Sequence, residues 1–488
     1  MWILRKYLIR DPREPKRVSS WVPYFGVAFK LNGNCLNFFA KCREQVNDEP
    51  IFTARLMGKD CHFVVDSKYV IDVPYKRAPQ MDGVSLQKLF LRNNIGITYA
   101  ETESLCSPEK LKVKKELFHQ NLLHKESGSL QSLVETSQIE LLKLTSEGQG
   151  DNTATLLHRF AIDLAVRVSA APMISLSLTT HKDLPEKLLT FLNGTTALIA
   201  GVPWLLLPDV IKARDDIEKM FEAKEFLENA TDFTLRRKEF ANAGVIRQTQ
   251  RVWIKTQVST LIATTANFAP TLSWILFHLL DDHVAYNAVE KEAIVLGEKK
   301  IYDIEDLDGL PVLSSVIKET IRLHSVHFPT KDILEDFEVK VGEKSYLLKK
   351  GSRLMSYTPI KHYDPYLFSN PFEFQYDRFL GDNRKFFYKD GKDARDPIAA
   401  FGGGAQLCPG RRFTPYVLKA TVVRLMNTYN MELLANTKRP EDFVATRAHI
   451  VFPTDVHFKL EKKQRRSNIK CQQGTDTLLS QTVTAQAA

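Results

Sequence analysis

Apolar positions along the chain change period several times, and each change marks an element. Between residues 51 and 67, IFTARL and HFVVDS carry short apolar runs around Gly58 and Asp60, which predicts two short strands. From about 109 to 147 apolar residues recur at spacings of three and four, the pattern of an amphipathic helix. Residues 150–240 continue in that way, punctuated by Pro172, Pro185, Pro203 and Pro208. The longest helical candidate spans 250–282 and is apolar on most sides, as a helix through the centre of a large protein would be. Lys255, Gln257, Asn267, Pro270 and five threonines within it argue against a membrane span. Pro270 removes one backbone donor, so a kink is expected near Ala266. Another helix is predicted from Pro311, a favoured first helical position, through PVLSSVIKETIRLH. Short strands with turns follow in FEVKVGEKSYLLKKGSRLM. The class read from these patterns is mainly α with minor β.

The chain has 488 residues, 44% of them hydrophobic, enough for a large buried core. No repeat or flexible linker divides it, so residues 20–462 read as one domain. A basic segment, 1–19, precedes it, and a polar tail, 463–488, rich in Gln, Thr and Ser, reads as disordered. The apolar start is broken by Arg5 and Lys6 and falls short of the ~20 residues that cross a membrane. A net charge of +9 suits nucleic acid, an anionic membrane or an acidic protein partner. The basic residues are scattered, without zinc-finger spacing or an RNP-like motif, which disfavours nucleic acid. Six cysteines without a C-x-x-C pair suggest no disulfide framework.

The densest chemical signal is FGGGAQLCPGRRF, residues 401–413. Glycines permit close backbone approach to a flat ligand. A cysteine just before a helical run sits where free N–H groups stabilise a thiolate. Zinc needs three or four ligands, and no His or Cys lies nearby in sequence to supply them. One sulfur on a rigid loop suits haem, which needs a single protein ligand beneath its iron; an isolated cysteine after a glycine turn would otherwise be an inert buried one.

On these residues the chain resembles the cytochrome P450 family. The family pattern F-x-x-G-x-x-x-C-x-G is filled by Phe401, Gly404, Cys408 and Gly410. The resemblance implies that family's fold, a large helical domain with small sheets around a buried haem b, and Cys408 as the axial iron ligand. The family often carries Arg two residues before the cysteine; here Gln406 stands there, so another group must meet the haem propionate. Lys331 in FPTKDIL, and Lys114, Lys115 or His119 in LKVKKELFHQNLL, are the candidates. Glu319 and Arg322 share a helical face in KETIR. Alone they would be a surface ion pair worth a few tenths of a kcal/mol. With Arg378 in FEFQYDRF, which resembles the family's PERF segment, they imply a Glu319–Arg322–Arg378 network of structural role. Aligned on ATTANFAP, the family's acid and alcohol positions fall on Ala266 and Asn267. Asparagine donates and accepts hydrogen bonds but is no proton acid. The A-N-x-x-P pattern resembles the branch of cholesterol and oxysterol 7α-hydroxylases, sterol 12α-hydroxylase and prostacyclin synthase. The plainer alternative is that Asn267 only satisfies the backbone freed by Pro270.

Three functions stay open. The first is a monooxygenase hydroxylating a sterol or oxysterol-like lipid. It would use O2 and electrons from NADPH–cytochrome P450 reductase, received through a basic face that includes Arg411 and Arg412. The second is an isomerase or dehydratase acting on a lipid peroxide without external electrons. The third is a haem carrier or sensor without turnover. The branch resemblance implies the cytosolic face of the endoplasmic reticulum membrane. Arg5, Lys6, Arg10, Arg13, Lys16 and Arg17 would then favour an anionic surface.

Overall fold

The computed structural model describes residues 10–463 except 20, 21, 23, 33, 124–127, 147–153, 243–247, 298, 395, 436, 438, 439 and 441–450. The apolar start with Arg5 and Lys6, Trp21, and the tail from 464 with Cys471 lie outside the described residues.

Among the described residues, ten strands form three sheets. In chain order they are β1 (Ile51–Leu56), β2 (Lys59–Val64), β3 (Met81–Asp82), β4 (Thr155–Leu156), β5 (Thr330–Ile333), β6 (Phe337–Val341), β7 (Lys344–Leu348), β8 (Arg353–Ser356), β9 (Tyr429–Leu433) and β10 (His457–Lys462). The largest sheet runs β1-β2-β8-β5-β3, the second β4-β10-β9, and β6-β7 is a separate hairpin. The β1–β2 hairpin closes through Met57 and Gly58, at φ 48° and 76°. Positive φ at both loop residues matches the twist of a two-residue hairpin. The first strand coincides with IFTARL, while the second begins earlier than the expected HFVVDS run and overlaps only its first three residues.

Among the helices of the described residues, nine position the site or pack behind it: α1 (Ser85–Asn93), α2 (Pro108–Leu122), α3 (Ser129–Ser146), α4 (Leu157–Ala165), α5 (Asp232–Asn242), α6 (Gln250–Thr265), α7 (Phe268–Asp281), α8 (Pro311–His324) and α9 (Phe413–Thr428). The main core is built by α3, α4 and α6 to α9. Helix α7 packs on α4 and α8, and α9 packs on α3. Thr249 opens α6, its hydroxyl accepting from the Val252 N–H at 3.3 Å, which satisfies one orphan donor of the first turn. Across α6 and α7, 78% of the most apolar window is buried inside the fold. The break falls at Ala266–Asn267, as the missing Pro270 donor requires. Thr271 repairs it: its hydroxyl donates to the Asn267 carbonyl at 2.7 Å and its N–H to the same atom at 3.2 Å.

The large sheet has its own aromatic core, in which Phe39 stacks on Tyr357 at 5.2 Å and Phe52 on Phe63 at 5.5 Å. The five described cysteines, Cys35, Cys42, Cys61, Cys106 and Cys408, are all free thiols.

The expected basic face at the N-terminus needs correction. Arg10 pairs with Glu14 at 2.9 Å, Arg13 with Asp11 at 2.8 Å and Glu338 at 2.7 Å, and Arg17 with Asp60 at 2.5 Å. Lys16 lies 3.6 Å from Glu49. Asp11 and Glu14 lie in the segment itself and Glu338, Asp60 and Glu49 come from elsewhere in the chain, so much of the positive charge of the described segment is paired locally.

Three histidines set an acid limit on the fold. Burial lowers His62, His327 and His362 to about 3, 4 and 3. They are neutral in the folded protein, whereas an unfolded histidine takes up a proton near pH 6.5. Their contribution is therefore complete above about pH 6.5 and shrinks as pH falls towards 4. Each should cost about 1.4 kcal/mol of stability per pH unit across that window. Urea unfolding at pH 7 and pH 5 checks this: the midpoint should be lower at pH 5, and His62→Gln should flatten the dependence. Equal midpoints at the two pH values would exclude the effect.

Candidate active site

The cysteine loop is fixed by backbone geometry. The Cys408 N–H donates to the Phe401 carbonyl at 2.8 Å, folding the loop back on itself. Gly404 holds φ at +53°, a conformation that glycine adopts freely. Gly403 lies against Tyr75, where a Cβ would come within 2.7 Å of a ring carbon. The glycine run therefore admits the Tyr75 ring directly onto the loop. After Cys408 come a single 3₁₀ turn, Pro409–Arg411, and then α9.

The Cys408 sulfur is an acceptor. Burial pushes its thiol pKa up, and the N–H groups of Gly410 and Arg411, with the Arg411 charge, oppose that rise. Such donors favour the thiolate, the form that ligates metals. The Gly410 position is open beneath the sulfur, a Cβ there lying 3.8 Å from it. Arg411 also donates to the Cys408 carbonyl at 3.1 Å, and Arg412 to the Leu123 carbonyl at 2.7 Å, so part of the donor capacity of both is spent within the fold.

Cys408 opens onto a cavity of about 670 Å³. Its walls come from α1, α2, α5, α6, the cysteine loop and the π-helical segment Val166–Ala170 that follows α4. Ala263 and Thr264 of α6 line it, as do Leu91, Phe118, Leu122, Met173 and Phe413. Gln406, Lys114, Lys115 and His119 supply polar edges. Among the described residues no group of three or more His, Cys, Asp or Glu gathers to hold a bare metal ion. One sulfur receiving backbone N–H bonds, at the wall of an apolar cavity with cationic and amide edges, fits a planar iron cofactor bearing acidic arms.

Lys331 is not among the described residues that wall the cavity. Its ammonium donates to Gln406 Oε1 at 2.7 Å, and the Gln406 amide donates to the Gly83 carbonyl. Lys331 thus meets the cavity through Gln406, and burial lowers its pKa from the ordinary lysine value. The amide at position 406 is oriented by the lysine that the sequence singled out separately.

The two residues at the helix break part company. Ala266 is 7% exposed and packs with the main core, so the expected acid position presents no group to the cavity. Asn267 is exposed, four residues beyond Ala263, but is not among the described residues that wall the cavity. Its side-chain amide makes no hydrogen bond among the described residues, because Thr271 takes over the carbonyl freed by the break.

Sequence reasoning passed over the threonines of α6. Thr256, Thr260 and Thr264 recur every four residues along the cavity wall. Each hydroxyl donates to a backbone carbonyl, at 2.7, 2.9 and 3.0 Å, which leaves oxygen lone pairs for a ligand or water. Their spacing was the available signal.

Behind the cysteine loop, Glu319 and Arg322 are fully buried. Arg322 binds both Glu319 oxygens, Nε at 2.7 Å and Nη2 at 2.8 Å, and Arg378 Nε binds Oε1 at 2.9 Å. Arg322 also donates to the carbonyls of His362 and Pro371, both at 2.7 Å, and Arg378 to that of Ser369 at 2.7 Å.

Residues 247–455 match a family model described as Cytochrome P450. The cholesterol 7-alpha-monooxygenase of Cricetulus griseus is 24% identical over 494 residues, covering 95% of this chain and 96% of that protein. The prostacyclin synthase of Rattus norvegicus is 33% identical over 197 residues, covering 37% of this chain and 39% of that one. Among solved structures, a retinoic acid bound cyanobacterial CYP120A1 aligns with a TM-score of 0.70 and 19% identity, covering 93% of this chain and 100% of that chain, a likeness of fold.

Proposed function

From the premise that this chain belongs to the cytochrome P450 family, an oxidoreductase with haem b as cofactor, we propose that it hydroxylates a sterol or oxysterol-like lipid with O2 and reductase-supplied electrons. Residues 20–462 act as one catalytic domain in this reading. The observation that carries it is Cys408, the rise of whose thiol pKa the Gly410 and Arg411 N–H groups oppose, opening into an apolar cavity of about 670 Å³.

A thiolate-ligated haem supplies oxygen activation and oxidation of unactivated C–H bonds. Cys408 would hold the iron, while Phe401, Gly404 and Gly410 shape the loop beneath it. Gln406, oriented by Lys331, and His119 would face the acidic arms of the cofactor. Leu91, Leu122 and Met173 give the substrate an apolar wall and keep water out. Asn267 would order water by donating and accepting hydrogen bonds, in place of an acid and an alcohol. Electrons would come from NADPH–cytochrome P450 reductase, at a membrane surface such as that of the endoplasmic reticulum. The relative named for cholesterol 7-alpha oxidation supports the sterol choice, since it aligns over nearly the whole chain.

A second reading, rearrangement of a lipid peroxide, is favoured by one observation. Ala266 presents no acid to the cavity, and such chemistry needs no proton delivery. Asn267→Ala separates the two. Under the hydroxylase reading, reductase-supported turnover should fall about ten- to a hundredfold, with NADPH consumption diverted from product, because one positioned hydrogen-bonding group is lost. Under the second reading, peroxide conversion without reductase should be unchanged. Difference spectra across sterols, oxysterols and lipid peroxides, with product analysis, decide. Rapid peroxide rearrangement without any sterol-induced spectral change would exclude the hydroxylase.

A further inference from the structure

One region of the cavity carries more positive charge than its surroundings answer. Arg237, on α5, is 8% exposed. Its Nη2 donates to Thr260 Oγ1 at 2.7 Å, while Nη1 is buried with no hydrogen-bond partner. The guanidinium carbon lies 5.9 Å from the Phe118 ring centroid, 5.7 Å from that of Phe233 and 5.6 Å from that of Trp253. Lys114, on α2, also lies over Phe118, its ammonium 6.0 Å from the ring centroid. Lys114 is exposed and lines the cavity, and desolvation together with the Arg237 charge lowers its pKa. Neither cation forms an ion pair among the described residues. The indole N–H of Trp253 is also buried without a partner. Arg237, Lys114 and Trp253 all line the same cavity as Cys408.

An unpaired buried charge is expensive, and a second like charge beside it adds repulsion. Aromatic faces recover part of that cost but cannot supply a counter-charge. These three donors line one cavity, and among its described walls a single buried side-chain acceptor, Gln248 Oε1, is likewise without a partner. We propose that this region is a subsite for an anionic group, a carboxylate or sulfate carried on an apolar ligand, held by Arg237 and Lys114. The apolar body would lie along Phe118, Leu122 and Met173 towards Cys408. The choice of a steroid body rests on the proposed function; the anion preference does not.

The test uses holoprotein and spectral titration with cholesterol and cholesterol sulfate, then with palmitic acid and its methyl ester. The native protein should bind the anionic member of at least one pair about ten- to a hundredfold more tightly, the scale of a charge-assisted hydrogen bond. Arg237→Met should abolish that preference while keeping haem content and binding of the neutral ligand. Arg237→Lys should keep part of it, and Lys114→Met should reduce it, which preserves the test if Arg237→Met misfolds. Equal affinities within both pairs, or a preference that survives both Met variants, would overturn the proposal. So would loss of haem from Arg237→Met, since the anion held would then be a cofactor propionate. If neither sterol binds but the fatty-acid pair shows the preference, the subsite stands and the sterol reading fails.

Discussion

Replacing Cys408 with alanine is expected to abolish sulfur ligation and reductase-supported turnover together. In the native holoprotein the reduced carbon monoxide complex should show the long-wavelength Soret band diagnostic of thiolate ligation. Cys408→Ala should lose that band, and Cys408→His should give the shorter-wavelength band of a nitrogen ligand. The side chain contributes one sulfur at the cavity wall, and the loop is held without it by the Cys408–Phe401 backbone bond and the Tyr75 contact. The fold should therefore survive, with unchanged far-UV dichroism. The donor groups of Gly410 and Arg411 would be left pointing at a methyl, with no acceptor for a metal ligand to replace. A native spectrum in the alanine variant would show that another residue ligates the iron, and the proposed function would fall with it.

The second large effect is on stability. Glu319→Gln should destabilise the protein by about 3–5 kcal/mol, the cost of leaving buried charges without their partner. Glu319 is the single carboxylate between two guanidinium groups, all three nearly or fully inaccessible. With it neutralised, Arg322 and Arg378 would confront each other across a low-dielectric interior. A buried ion-pair network can often be replaced by apolar residues at little cost. Here it should not be, because both arginines also bind main-chain carbonyls of His362, Pro371 and Ser369. Apolar replacement of all three would leave those acceptors unsatisfied, at about 1–3 kcal/mol each. The network therefore ties the segment after β8 to α8. Urea midpoints and haem retention measure the loss. A Glu319→Gln protein within about 1 kcal/mol of the native one would refute this role, since that is the range of a surface pair.

Much was legible in local sequence. The helix from Pro311 begins where a proline belongs, and the interruption of the long helix falls where Pro270 withholds its N–H. The β1–β2 hairpin follows from an apolar pair of runs around Gly58. The cysteine loop could be read because its glycines answer local backbone demands. Other features were legible only in part. The spacing of Glu319 and Arg322 puts them on one face of a helix, but the same spacing on an exposed helix makes a pair of negligible strength. Only the resemblance, not the spacing, suggested that they are buried.

What the chain order alone determines here is backbone conformation: which residues form helices, where those helices stop, and which side chains share a face. The tertiary structure decides solvent exposure and the identity of distant neighbours. It sends Ala266 into the core and leaves Asn267 uncovered, joins Lys331 to Gln406, and pairs the N-terminal arginines with acids. It also encloses Arg237, which in DFTLRRKEF looks like any charged surface residue. The physical reason is that hydrogen-bonded turns depend on residues a few positions apart, whereas the cost or value of a charge depends on everything packed around it.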